Sequence, residues 1–257
     1  MRKTIIAGNW KMYKTIPEAI ELANEVQREL FDLDNQAIDV VLCPPFTALT
    51  EVSEAIATSN CRLGAQDMYW QDEGAFTGEI SGKMLKDAGC DFVIIGHSER
   101  RQYFGETNEG VNKKVKSALS GGLTPIMCVG ETLEQREKGL TFEVLKDHVQ
   151  NGLKDITAQE IIHIVVAYEP VWAIGTGKTA TPQQAQEAQK HIRGLLAKLY
   201  NPEIAEGIRI QYGGSIKPDN IAELMRQPDV DGGLVGGASL TVESFVTIVK
   251  KASEVKK

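Results

Sequence analysis

The sequence predicts an α/β chain folded as a single (β/α)8 barrel over residues 1–257. Three observations point there. A short apolar run followed by a longer amphipathic one recurs eight times, the count at which parallel strands close on themselves. The apolar runs are rich in Ile and Val and mostly continuous, as expected of parallel strands covered on both faces. The first strand is not followed by the glycine-rich nucleotide fingerprint that an open doubly wound sheet would carry. One barrel commonly fills 257 residues, and no linker, low-complexity tract or long charge run divides them.

Taken in order, the first run is Thr4–Ala7, ending before Gly8-Asn9-Trp10-Lys11. Its basic start, Met1-Arg2-Lys3, imitates a signal peptide, but the apolar stretch stops too soon to serve as one. Thr15-Ile16-Pro17-Glu18 carries capping-box chemistry for a helix whose apolar face is read as Ile16, Ala19, Ile20, Ala23 and Leu30. Strands are expected next at Ile38–Cys43, Arg62–Gln66, Phe92–Gly96, Thr124–Val129, Ile162–Tyr168, Ile208–Tyr212 and Gly233–Val235. After the third strand, Asp67–Ile80 holds Met68, Tyr69, Trp70 and Phe76 with little sign of regular structure. So long and apolar a loop is expected to dock somewhere. Thr181-Pro182-Gln183-Gln184 repeats the capping device before a helix running to about Tyr200.

Composition narrows the partners. The formal charge of −7 predicts no general attraction to nucleic acid or to anionic membranes, and no stretch approaches a membrane span. Cys43, Cys61, Cys90 and Cys128 lie far apart without CxxC spacing, which reads as reduced, buried thiols in a cytoplasmic protein. His148, His163 and His191 show no metal-ligand spacing, so neither a metal nor an organic cofactor is called for.

In a parallel barrel all strands point one way, so the residues just past their ends gather on one rim. Those residues are Asn9 and Lys11, His97, Glu169, Gly213-Gly214-Ser215 and Gly236-Gly237. Glycine turns after the seventh and eighth strands let backbone N–H groups approach a phosphate. Lys11, flanked by Trp10 and Met12, reads as a partly buried cation in need of an anion. Ser98-Glu99-Arg100-Arg101 predicts a helical turn after His97, whose N-terminus would lower the imidazole pKa and keep the ring neutral. Glu169, between Tyr168 and Pro170 with Trp172 close by, reads as a poorly solvated carboxylate whose pKa burial would raise, a base suited to carbon acids. Ala173–Lys178 has the small, glycine-bearing composition of a lid over the site. The pattern predicts a carboxylate moving a proton on a small phosphorylated substrate.

Asn9-Trp10-Lys11-Met12, Ile95–Arg101, Cys128-Val129-Gly130-Glu131, Ala167–Lys178 and Tyr212-Gly213-Gly214-Ser215 together resemble the motifs of the triosephosphate isomerase family, in order and across essentially the whole chain. The glutamate–histidine–lid combination is that family's known chemistry and enters on the strength of the resemblance. The resemblance implies Glu169 as the base and His97 as the neutral electrophile. Lys11 with Asn9 would hold and polarise the substrate, while Gly175, Ser215, Gly236 and Gly237 would bind its phosphate. Glu99 and Tyr212 would support the site, Tyr212 by latching the lid. It further implies two triose phosphates as substrates, linked by a cis-enediolate, and a homodimer in which loop 67–80 enters the other subunit. Tyr13-Lys14-Thr15 departs from the family's usual Asn and Gly there. A Schiff-base aldolase using Lys11 or Lys178 and a noncatalytic barrel serving as a binding module remain as other readings.

Overall fold

The structure, a computed structural model, describes residues 2–174 and 179–255. Eight parallel strands close in sequence order into a barrel. They are β1 Thr4–Asn9, β2 Ile38–Cys43, β3 Cys61–Ala65, β4 Phe92–Ile95, β5 Thr124–Val129, β6 Val165–Tyr168, β7 Arg209–Tyr212 and β8 Gly232–Val235. Closure comes from β8 pairing with β1, Ile5 in register with Gly232 and Gly8 with Val235. Around it run α1 Ile16–Glu29, α2 Leu49–Ile56, α3 Gly82–Asp87, α4 Ser98–Phe104, α5 Asn108–Ser120, α6 Leu133–Glu137, α7 Thr141–Gly152, α8 Ala158–Ile161, α9 Pro182–Leu199, α10 Pro202–Gly207, α11 Ile221–Met225 and α12 Val242–Val255. Among the described residues no helix is long and apolar enough to cross a membrane.

Two nested cores explain why the strands read as continuously apolar. Successive side chains on a strand point to opposite faces. One set, including Ile5, Ala7, Val41, Phe92, Ile94, Ile126, Cys128, Val165, Ala167 and Leu234, fills the barrel. The other, including Ile6, Val40, Leu42, Val93, Ile95, Met127, Val166 and Ile210, packs outward against the helices. A residue type tolerated on only one face has no place in such a strand. The lower end is closed by charge: Asp39 accepts from Lys3 Nζ and from Arg209, each at 2.6 Å.

Three sequence expectations shift. β1 runs two residues further, so Asn9 belongs to the strand and pairs with Cys43. β6 starts at Val165 and not at Ile162, because Thr157 and Glu160 cap α8 reciprocally and draw Ala158–Ile161 into a helical turn. The buried face of α1 is Ala19, Leu22, Ala23 and Val26, while Ile16, on the opening turn, is exposed. The caps themselves hold: Glu18 accepts from the Thr15 N–H at 2.7 Å, and Thr181 and Gln184 exchange bonds of 2.9 and 3.2 Å. Loop 67–80 has no helix or strand, only a bridge from Tyr69 to Ser81. Part of its apolar content is spent internally, since Met68 is buried and the Tyr69 ring packs on Trp70 and Phe76.

Candidate active site

At the carboxyl ends of the strands lies a cavity of about 420 Å³ whose lining includes Asn9, Lys11, His97, Glu169, Ile174, Gly213, Ser215, Gly236 and Gly237. The rim rule therefore gathers the residues named from sequence into one space. Gly175 and the rest of 175–178 lie outside the described residues.

Lys11 follows β1 in a left-handed conformation, φ 53°. That costs a non-glycine residue roughly 1–2 kcal/mol, so neighbours must impose it. Asn9 Oδ1 accepts from the Lys11 N–H at 3.0 Å, and Gln66 Nε2 donates to the Lys11 carbonyl at 2.8 Å. The bend carries the side chain back over the site, where Nζ lies 2.5 Å from Glu99 Oε1 and the stem lies against Gly236. Trp10 is fully buried, but Met12 is 94% exposed, so only one flank of Lys11 provides shelter.

His97 caps α4. Its Nδ1 accepts from the Glu99 N–H at 3.2 Å, which fixes the other nitrogen, Nε2, as the one facing the site. Nε2 stands 2.9 Å from Glu169 Oε1, in contact but not aimed straight along a hydrogen bond. Glu169 Oε2 accepts from the Ser98 N–H at 2.9 Å. One carboxylate oxygen is thus committed to backbone, and the other lies beside His97 on the cavity wall.

The electrostatics correct two expectations. Burial pushes the Glu169 pKa up, but His97 and the Ser98 N–H outweigh it and hold the carboxyl below its usual value. Burial opposes a charge on His97, yet the adjoining Glu169 carboxylate wins and lifts the imidazole, instead of the helix start lowering it. The two groups titrate as a pair, so loss of charge on one reverses the pull on the other.

Beyond the geometry, the family model described as triosephosphate isomerase matches residues 4–252. The chain is 58% identical to the triosephosphate isomerase of Carboxydothermus hydrogenoformans, over 97% of this chain and 99% of that protein. It is 57% identical to that of a Thermoanaerobacter species and 55% identical to that of Endomicrobium trichonymphae, with the same coverage of both chains. The chain belongs to the triosephosphate isomerase family.

Several residues of this triosephosphate isomerase family member carry the site without having been singled out by sequence. Glu131, fully buried, accepts from Tyr168 at 3.1 Å, from the Trp172 indole at 2.9 Å and from Arg136 at 3.0 Å. It thereby ties the segment leaving Glu169 to the barrel. Tyr212, which the sequence did name, is buried beside Ala180, and burial pushes its hydroxyl up to about 12. Cys128, taken from sequence as a small core residue, is that and more: its buried thiol also meets Glu169, and burial raises its pKa far from any thiolate. Lys114, on α5, is buried between Asp67, at 2.7 Å, and Glu106, and Arg100 forms an ion pair with the second Asp67 oxygen at 2.7 Å. This cluster anchors the start of loop 67–80. Its members lie up to 47 positions apart, and no local pattern announces them.

Proposed function

We infer that the chain interconverts dihydroxyacetone phosphate and glyceraldehyde 3-phosphate through a cis-enediolate, with Glu169 as the base. The observation that carries this reading is the buried carboxylate with one oxygen held by the Ser98 N–H and the other beside His97 Nε2 on the cavity wall. Glu169 takes a proton from the carbon next to the carbonyl, and the electron pair moves onto the carbonyl oxygen. His97 Nε2–H and the Lys11 ammonium donate to the two substrate oxygens as charge builds on them. Once Glu169 is protonated, its upward pull on His97 is gone and burial favours the neutral ring, which can pass a proton between those oxygens. Return of the proton from Glu169 to the neighbouring carbon completes the exchange with no net gain or loss of atoms.

Asn9 orients Lys11, while Ser215, Gly236, Gly237 and Gly175 offer backbone N–H groups to the phosphate. Glu99 holds Lys11, and Tyr212 steadies the lid of residues 170–178. Lid closure excludes water and guards the enediolate against loss of phosphate. A Schiff-base route is disfavoured by Lys11, whose ammonium is engaged by Glu99. We further infer a cytoplasmic homodimer. Four buried free thiols suit a reducing compartment, and Met12, Tyr13 and Phe76 leave apolar surface for a second subunit to cover.

A coupled isomerase assay tests the reaction. Glu169→Asp retracts the carboxylate by roughly 1 Å and should lower kcat on the order of 10²-fold with little change in KM. Unchanged turnover removes Glu169 as the base. Light scattering that finds a fully active monomer removes the dimer.

A further inference from the structure

Behind Glu169, on the side away from the substrate cavity, is a second cavity of about 290 Å³, lined in part by Arg101, His148, Gly130, Ser98 and Glu169. Arg101 lies in the last turn of α4 and folds back beneath His97. Its Nε donates to the Gly96 carbonyl at 2.9 Å, one η nitrogen to Asn108 Oδ1 at 2.7 Å, and the other reaches the Cys128 carbonyl at 3.5 Å. Asn108 is itself held by Asp147 at 2.7 Å. Among the described residues Arg101 has no carboxylate within ion-pair distance, whereas the neighbouring Arg100 pairs with Asp67. A largely buried guanidinium bonded only to neutral acceptors has its charge answered at a distance, by Glu106, Glu169 and Asp147, and burial outweighs them and lowers its pKa.

The three acceptors are not arbitrary. Gly96 immediately precedes His97 and is left-handed, φ 74°; a Cβ there would lie 2.8 Å from Val111 and 3.1 Å from the Arg101 guanidinium. Cys128 lies near the end of β5, in register with Ala167, two residues before Glu169. One side chain therefore grips the backbone supporting the imidazole and the strand supporting the carboxylate.

We propose that Arg101 is a positioning residue for the reaction: it clamps the His97 and Glu169 supports in one register, and its charge, with no carboxylate in contact, keeps Glu169 ionised from behind. This rests on Glu169 being the base. The groups that set the charge on Glu169 come from every side. Lys11 after β1, His97 after β4 and Cys128 on β5 lie around it, β7 presents Gly213, and Glu99 lies beside His97, while Glu106 and Asp147 act on Arg101. His148, which accepts from the Gly130 N–H at 3.3 Å, faces Arg101 across the second cavity.

The test compares Arg101→Ala and Arg101→Lys in steady state across pH, beside Glu169→Asp. Arg101→Ala should lose about tenfold or more in kcat with KM little changed, because supports of the reacting groups are displaced rather than substrate contacts. The acid limb of its kcat/KM profile should move to higher pH, since removal of a cation favours protonation of Glu169. Millimolar guanidinium, which the cavity can admit, should restore part of kcat. Arg101→Lys keeps the charge but not the fork, so its acid limb should stay at the parent position while kcat remains low. A merely structural arginine would give a lower Tm, an unmoved acid limb and no response to guanidinium; that result overturns the proposal. If Arg101→Ala fails to fold, Arg101→Lys decides alone, and parental kcat in it overturns the clamp. Parental turnover by Glu169→Asp would strike the base assignment instead, so the two failures are distinguishable.

Discussion

Replacement of Gly213 by alanine tests how tightly the barrel fixes the base. Gly213 follows β7, and its N–H donates to the Tyr168 carbonyl at 2.7 Å, so its backbone is pinned to β6. A Cβ at this position would lie 2.8 Å from Glu169 Cγ and 3.3 Å from the Tyr168 carbonyl oxygen. Carbon atoms settle at about 3.5–4.0 Å, so the pair must separate by roughly 1 Å. The backbone cannot give without breaking the bond to Tyr168, which leaves the Glu169 side chain to move. A shift of that size stretches its 2.9 Å bond from Ser98 beyond hydrogen-bond range and withdraws the free oxygen from substrate. Gly213→Ala should lower kcat on the order of 10²-fold and cost about 1–3 kcal/mol through overpacking. Gly194→Ala is the control: it lies on α9 with nothing within 4 Å of its Cβ, and should keep kcat while gaining about 0.5–1 kcal/mol. A folded Gly213→Ala enzyme with kcat within about twofold of the parent would refute the argument that this contact positions the base.

Two further outcomes follow from buried charge. Lys114→Met leaves the buried Asp67 and Glu106 with Arg100 as their remaining cation, and should cost about 3 kcal/mol in urea unfolding; a loss under about 1 kcal/mol would mean that Arg100 alone suffices to hold both carboxylates. His148 is held near pKa 4, by burial first and then by Arg101, against about 6.5 when unfolded. The unfolded chain then binds the extra proton between those values, so stability is complete above about pH 6.5 and falls as pH drops towards 4. His148→Gln should therefore lose about 2 kcal/mol less than the parent between pH 7 and pH 5, and equal losses would remove His148 from the acid response.

What the sequence disclosed and what it hid divide along a physical line. Strands were legible because two nested cores demand apolar side chains on both faces, as at Ile5-Ile6 and Val165-Val166. Helix starts were legible where a cap is local, as with Thr181 and Gln184. The start of β6 was misplaced because Ile161 and Ile162 satisfy a strand pattern while Thr157 and Glu160 cap a helix over them. Gathering the site needed only the parallel direction of the strands. Its charge states were not legible, because burial of Glu169 shows in its apolar neighbours while His97 and the Ser98 N–H, which outweigh burial, arrive from 71 or more positions away. Glu131, Arg101 and Lys114 stayed hidden for the same reason. Each is defined by partners that only the closed barrel brings near.

The pairing of Lys11 with Glu99 has a consequence for how an acidic chain holds a doubly charged substrate. In the resting site the Lys11 charge is already answered 2.5 Å away, and Glu169 and His97 face each other. Little free positive charge faces the cavity, so the phosphate must be met mainly by backbone N–H groups at the turns after β7 and β8. Glu99 then acts in two opposed ways: it orients the ammonium over the site, and it weakens the pull of that ammonium on an incoming anion. Glu99→Gln separates them. The amide can still accept a hydrogen bond from Lys11, but one negative charge near the phosphate position is gone. Inorganic phosphate should bind several-fold more tightly, most clearly at low salt, where exposed charges are least screened. Turnover should fall, because an ammonium drawn towards the phosphate is no longer aimed at the reacting oxygens. Inhibition by phosphate and kcat, measured on the same preparation, give both halves. Weaker phosphate inhibition in Glu99→Gln would show that Glu99 serves anion binding by holding Lys11 in place, and the opposition described here would be wrong.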